Sequence, residues 1–347
     1  MYLPLPKTQL ALLPFALLIG ASATLHAQPQ ELLESLDDGA YLRPDEEPPI
    51  GVLGATMAAS GEMTMAWTWE SHNFSTPRTG SKEATIGEVT DQGYTFAATS
   101  ARVEEHHFSF HFELEAGLEV QFTVPYRDSR ADVLGPLGDR TRMRANGLGD
   151  LEFGATWSEA RIKGGLHSYG MSIGLPTGST NSTGANPDPD ETDGQLPYTL
   201  QPGSGAWSLI PQAHWLGHTD DWSWGYGGQY VLRVREGGSS WNRGNELEVG
   251  AWAAHRIDRD MSISLRVEGR HSNGIDGSES TIDPSLSNLH DPENAGGTLI
   301  QLFGGLNYVG TRGNRFALEV GVPLHDDVDG FGLGTSLTYA LGWRYGF

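Results

Sequence analysis

Between residues 105 and 113 the chain reads Glu105-His-His-Phe-Ser-Phe-His-Phe-Glu113, which puts His107, Ser109 and His111 on one side of an alternating segment, with Glu105 and Glu113 at its ends. Histidine binds metals and carries protons near neutral pH, and a serine beside a histidine base is a nucleophile. Spacing argues against both. In an extended strand His107 and His111 lie roughly 13 Å apart, too far to share one ion without a third ligand, and Ser109 is about 7 Å from each, beyond hydrogen-bond reach. No nucleophile elbow, phosphate loop or dinucleotide fingerprint occurs elsewhere. The expectation is that the chain is not an enzyme, and no catalytic or cofactor-binding residues are assigned.

A second cluster lies in 181–194, where Asp188, Asp190, Glu191 and Asp193 offer hard oxygen ligands. These suit calcium. Pro187 and Pro189 break the spacing of a calcium-binding helix-loop-helix, so the segment reads as a solvated acidic loop that could hold a divalent cation only weakly. No other metal or cofactor is expected. A third set is charged and scattered: Arg127, Arg233, Arg235, Arg266 and Arg270 with Glu113, Glu119, Glu152, Glu246, Glu248, Glu268 and Glu319.

The elements that carry these charges alternate with period two, the mark of strands with two different faces. In 118–127, Leu118, Val120, Phe122, Val124 and Tyr126 oppose Glu119, Gln121, Thr123 and Arg127. In 261–270, Met261, Ile263, Leu265 and Val267 oppose Ser262, Ser264, Arg266, Glu268 and Arg270. Charges at successive inward positions would be costly in a sandwich core, but a water-filled lumen accepts them. About twelve strands are expected, near 62–74, 104–115, 117–130, 148–158, 165–176, 205–217, 221–235, 245–257, 260–272, 297–309, 314–324 and 332–346. Tight turns at 116–117, 159–164, 217–220, 258–259 and 310–313 alternate strictly with long connections at 75–103, 131–147, 177–204, 236–244 and 273–296, and a shorter one at 325–331. The fold class is therefore all-β: a closed antiparallel transmembrane barrel over 61–347, with long loops on the extracellular side and short turns on the periplasmic side. On this reading His107, His111 and the charged set line the lumen, with salt-bridged filling of a closed lumen as the alternative.

The ends fit that scheme. Residues 1–27 combine Lys7, an apolar run over 10–19 and small residues up to Ala27, the composition of a secretory signal peptide. Residues 28–60 are acidic and Pro-rich and are expected as a periplasmic extension, partly tucked into the barrel mouth. The last strand closes on Tyr345 and Phe347, alternating aromatics that suit recognition by a barrel-assembly machinery. Of 347 residues 46 are glycine, 38% are hydrophobic, none is cysteine and the net charge is −22. Such a chain has too little apolar mass for a thick soluble core but enough for one apolar barrel face. The charge disfavours nucleic acid.

Gly51-Val-Leu-Gly54, Gly147-Leu-Gly-Asp-Leu-Glu-Phe-Gly154, Leu175-Pro-Thr-Gly178 and Leu196-Pro-Tyr-Thr-Leu-Gln-Pro-Gly-Ser-Gly205 resemble segments of the outer-membrane barrel "transporter" family named for the meta-pathway of phenol degradation. The resemblance spans 50–347 and implies passage of small, hydrophobic or aromatic compounds. Some relatives carry Met- and His-rich early strands that imply copper; this chain departs from them, with seven methionines, three of them Met57, Met63 and Met65. The expected role is an integral outer-membrane channel for passive or facilitated passage of a small-molecule solute, in contact with outer-membrane lipid and lipopolysaccharide. Two other classes compete: an outer-membrane lipid or lipopolysaccharide hydrolase, and a structural or adhesive barrel acting through its outer loops.

Overall fold

The computed structural model describes residues 43–45, 47–52, 63–115, 117–161, 165–188, 193–234, 240–310 and 314–346. Residues 1–27, expected as a signal peptide, and Arg235, Asp190, Glu191 and Phe347 fall outside these. The main strands are β1 (Met63–Gly80), β2 (Ala97–Glu115), β3 (Leu118–Leu134), β4 (Arg140–Leu148), β5 (Leu151–Arg161), β6 (Gly165–Leu175), β7 (Trp207–His218), β8 (Trp222–Val234), β9 (Glu246–Arg256), β10 (Met261–Ser272), β11 (Gly297–Val309) and β12 (Arg315–Gly346). Successive strands pair antiparallel, except that β4 and β5 both pair with β3, and β12 returns to β1. The sheet is closed, so no edge is left unpaired in the membrane.

Eleven strands form the circuit, with β4 and the two-residue strand Lys82–Glu83 in the same sheet beside it. The count differs from the expected twelve because 314–324 and 332–346 are one uninterrupted strand element rather than two separated by a loop. In β12, Arg315 faces Val309 of β11, while Gly346 faces Thr64 of β1. Val328 is opposite both Gly297 and Gly80, so β12 doubles back beside Gly330, whose φ of +55° suits glycine.

A second difference concerns 75–103 and 131–147, expected as loops. Strand continues to Gly80 and resumes at Ala97; β3 runs to Leu134 and β4 opens at Arg140. The alternation persists there, but its polarity inverts. The outward face of β3 changes from Phe122, Val124 and Tyr126 to Asp128, Arg130 and Asp132. Its inward face changes from Gln121, Thr123 and Arg127 to Ala131 and Val133, both buried. Outside, the strand leaves an apolar medium for a polar one; inside, it leaves a polar lumen for an apolar cap.

Below that level the outward positions form an apolar belt, with Phe108 45% exposed, Trp157 55% and Leu265 56%. Among the described residues no helix is long and apolar enough to cross a membrane. A polar interior inside a closed, belted sheet is the construction of an outer-membrane barrel.

Candidate functional site: a charged chamber in the lumen

Two parts of the chain enter the barrel. At the short-turn end, residues 43–45 and 47–52 lie across the lumen. Arg43 pairs with Asp45 at 2.8 Å and donates to the carbonyls of Thr219 and Asp220 at 2.8 and 2.9 Å. Ser223 donates to Asp45, and Ser262 donates to the carbonyl of Pro44 at 2.8 Å. Glu47 is held by Arg344 at 2.8 Å and Arg315 at 3.4 Å. The Gly51 amide donates to Glu319 at 2.9 Å. A Pro-rich segment suits this role, since its fixed φ angles lower the entropy lost on docking.

At the long-loop end, the connections β6–β7 and β10–β11 fold over the mouth. Leu196, Leu200 and Leu286 join Phe96, Ala98, Ala131, Val133, Met143, Ala145 and Leu333 in one buried cluster. Tyr198, Trp241 and Ile282 form a second, with the Tyr198 and Trp241 rings edge to face at 4.9 Å. The Phe96 amide donates to the Leu286 carbonyl at 2.9 Å, and the Asn288 side chain bonds the Ala98 amide and the Phe331 carbonyl, each at 2.8 Å. His290, 1% exposed, meets Ser287 at 2.7 Å, and burial pushes its imidazole down to about 4.

Between floor and roof lies a cavity of about 630 Å³. His107, His111, Arg127, Glu152, Arg233, Glu246, Glu248 and Arg270 reach its wall. Near the roof, Arg127 pairs with Glu105 at 2.7 Å and donates to the Thr199 carbonyl at 2.9 Å. Arg243, on the short strand Trp241–Arg243 paired with Ile275–Gly277, donates to the Gln201 carbonyl at 2.5 Å. Burial, then the neighbouring Arg127 and Arg233 charges, pull its guanidinium down to about 9. Lower down, Arg270 lies 3.3 Å from Glu248, 3.5 Å from Glu246 and 3.6 Å from Glu268.

The other described residues expected on the lumen face, Glu113, Glu119, Arg266, Glu268 and Glu319, point inward but do not reach the chamber wall. Arg266 forks onto Glu319 at 3.1 and 3.0 Å, also pairs with Glu268, and stacks on Phe303 at 3.8 Å. This buried group lies under Gly51. Glu119 is engaged by His111 at 2.8 Å, and Glu113 accepts the Gly117 amide at 2.8 Å in the β2–β3 turn. Charge filling and chamber lining, posed as alternatives by the sequence, occupy different levels of one lumen. Ser109 shares a hydrogen bond with Thr123 at 2.9 Å, and His111 is turned to Glu119. Asp188 and Asp193 are described, and no group of three or more metal-type ligands occurs among the described residues. Tyr345 faces Met65 across the β12–β1 seam and stacks with Trp343 at 6.4 Å.

Sequence reasoning missed the wall residues Glu47, Glu70, Asp150, Arg243, Arg315 and Arg344. Arg344 was legible from parity, since it alternates with Trp343 and Tyr345. Glu47 and Arg243 sit on segments without periodicity, and only the closed fold brings them to the cavity.

No protein-family model matches the sequence, and no curated protein matches it. Solved structures do. An outer-membrane channel from Pseudomonas putida F1 superposes with a TM-score of 0.59 at 12% identity, over 86% of this chain and all of that one. A FadL homologue from Pseudomonas aeruginosa matches at 0.42 and 8%, over 82% and 90%. The transport unit of the autotransporter AIDA-I from Escherichia coli matches at 0.49 and 10%, over 93% and 100%. The chain has the fold of an integral outer-membrane β-barrel.

Proposed function

We propose that this protein is an outer-membrane channel through which small solutes pass by way of the charged chamber. Counted by passes, with β4 and β5 as one and the two arms of β12 as two, the barrel crosses twelve times, with long loops outside and residues 43–52 on the periplasmic side. The observation that carries the reading is the chamber itself: a cavity of about 630 Å³ in a belted barrel, walled by charges and bounded by segments attached through loops. The likeness to the P. putida channel and the resemblance to the phenol-pathway "transporter" family support the same reading.

The wall also bears on the solute. Arg127, Arg233 and Arg243 share the chamber with Leu200, Leu289 and Val103. A guanidinium binds a carboxylate in a fork, and the aliphatic strip takes an apolar body. The solute class is therefore a small organic acid with an apolar, such as aromatic, body. In planar bilayers the protein is expected to give discrete conductance steps that millimolar benzoate reduces or blocks. Silence in bilayers and in liposome swelling would refute the channel; steps indifferent to benzoate would refute only the solute class.

A further inference from the structure

The outward face at the long-loop end of β2, β3 and β4 carries an arginine row that the lumen does not explain. Cross-strand register places Asn73, Arg102, Arg130 and Arg144 side by side on four neighbouring strands, since Asn73 faces Arg102, Arg102 faces Arg130 and Arg130 faces Arg144. Like charges directly opposed destabilise a sheet unless something neutralises them. The flanking members are neutralised within the chain: Arg102 pairs with Glu104 at 2.9 Å, and Arg144 forks onto Asp128, with Nε to Oδ1 at 3.0 Å. One row further out, Arg142 takes Asp132 at 2.8 Å. Arg130, at the centre and exposed, has no hydrogen-bond or ion-pair partner among the described residues. Five of the chain's 22 lysines and arginines (Arg102, Arg130, Arg140, Arg142 and Arg144) gather on this one face of β2, β3 and β4, in a chain whose net charge is −22.

Height is the second observation. Two register steps below the arginines lies the row Trp69, His106, Tyr126 and Leu148, where the outward face becomes apolar. Four residues of strand, tilted as in such barrels, raise the arginines about 10 Å above that edge. That is within side-chain reach of a headgroup layer roughly 5–8 Å deep. Beneath, on the same strands and β5, an aromatic wall faces the membrane: Phe110 and Phe122 stack at 6.5 Å, and Phe122 and Phe153 pack at 4.7 Å.

We propose that this face binds a bisphosphorylated glycolipid of the outer leaflet, the lipid A moiety of lipopolysaccharide, with its phosphates at Arg130 between Arg102 and Arg144 and an acyl chain along Phe110, Phe122 and Phe153. Guanidinium forks match phosphate oxygens, and an anion at Arg130 removes the like-charge contact that the register imposes. Glu104 and Asp128 hold the flanking guanidiniums in place beside it. The proposal rests on the outer-membrane reading with the long loops outside.

The test uses the full-length protein in detergent, with hexa-acyl lipid A followed by native mass spectrometry. Bisphosphorylated lipid A is expected to be retained about tenfold more strongly than its dephosphorylated form. R130Q is expected to lose most of that preference, and R102Q/R130Q/R144Q all of it. Equal retention of the two lipids by the unaltered protein overturns the proposal whether or not the variants fold, as does a triple variant that folds and keeps the preference. Displacement by millimolar inorganic phosphate to the same extent with either lipid shows a free-anion site and likewise overturns it. Conductance measured on the same preparations reports on the channel separately: lost lipid preference with intact steps leaves the channel standing, and absent steps with intact preference refute the channel alone.

Discussion

Gly51 donates its amide to Glu319 at 2.9 Å, in a space where a side chain has no room: a Cβ on Gly51 would lie 2.1 Å from Arg266 and 2.7 Å from Glu319. The floor segment therefore meets the wall through bare backbone. In G51L the segment must lift away from the buried group, with a cost of about 1–3 kcal/mol for overpacking or loss of docking altogether. The expected result is larger bilayer conductance steps than in the unaltered protein. Deleting 43–52 should give the same increase, and unchanged steps in both variants would show that this segment does not restrict the lumen.

Arg266 is 4% exposed and Glu319 1%. Removing one member of a buried pair strands the other, at a cost of about 3–5 kcal/mol. E319Q should lie toward the lower end, because Glu268 still faces Arg266, while R266M takes the guanidinium from two buried carboxylates, Glu268 and Glu319. Denaturant unfolding in detergent should rank R266M below E319Q and both below the unaltered protein. Equal stability of all three would mean that the lumen is wet enough at this level to screen them.

The roof carries its own titrating group. His290 is buried beside Ser287, its folded-state pKa of about 4 lies below the usual value of 6.5, and Asp283 is the charged neighbour that opposes the shift. When the roof unfolds, His290 recovers its ordinary basicity and takes up a proton that the folded roof excludes. The contribution is present in full above pH 6.5 and is lost as pH falls toward 4. Hydrogen exchange over 282–294 should accelerate between pH 6.5 and 4 by more than intrinsic exchange chemistry accounts for, while β2 and β3 stay protected. In H290Q that pH dependence should disappear; if it persists, another group governs the roof.

The barrel was legible in the sequence because one physical rule, alternation between lipid and lumen, writes itself into every strand. Phe108, Phe110 and Phe112 could not face inward together with the neighbouring His107 and His111. The rule stops where both solvents change. The end of β3 from residue 131 reads as loop because its inward residues, Ala131 and Val133, pack against Leu196, Leu200 and Leu286, about 60 or more positions away in sequence. The chamber was half legible for the same reason. Residues on periodic strands, such as Arg127 and Glu248, announce their face, whereas Arg243 and Glu47 reach the cavity only through loop and floor segments that have no period.

Alternation itself gives a test. Leu265 is exposed on the belt, and Ser264 beside it faces inward, 8% exposed. An arginine facing lipid near mid-membrane costs about 2–4 kcal/mol. L265R should therefore lower barrel stability by that amount in lipid vesicles, while L265F should leave it nearly unchanged. If L265R costs under about 1 kcal/mol in vesicles, Leu265 lies near the interface and the belt edge must be redrawn.

The chamber predicts ion selectivity. Arg127, Arg233 and Arg243 line it, with Glu105 paired to Arg127, and Arg270 lies there among Glu246, Glu248 and Glu268. In the proposed channel, charged constrictions would set which ion enters. In R127Q/R233Q two positive charges are lost while the carboxylates remain, so the reversal potential in a potassium chloride gradient should move toward cation selectivity. E246Q/E248Q should move it the opposite way. The double variants also separate lining from scaffolding, because a purely structural role would alter stability in both and leave the reversal potential fixed. Shifts of the same sign in the two variants would place the selective constriction outside this chamber, at the floor segment or the roof.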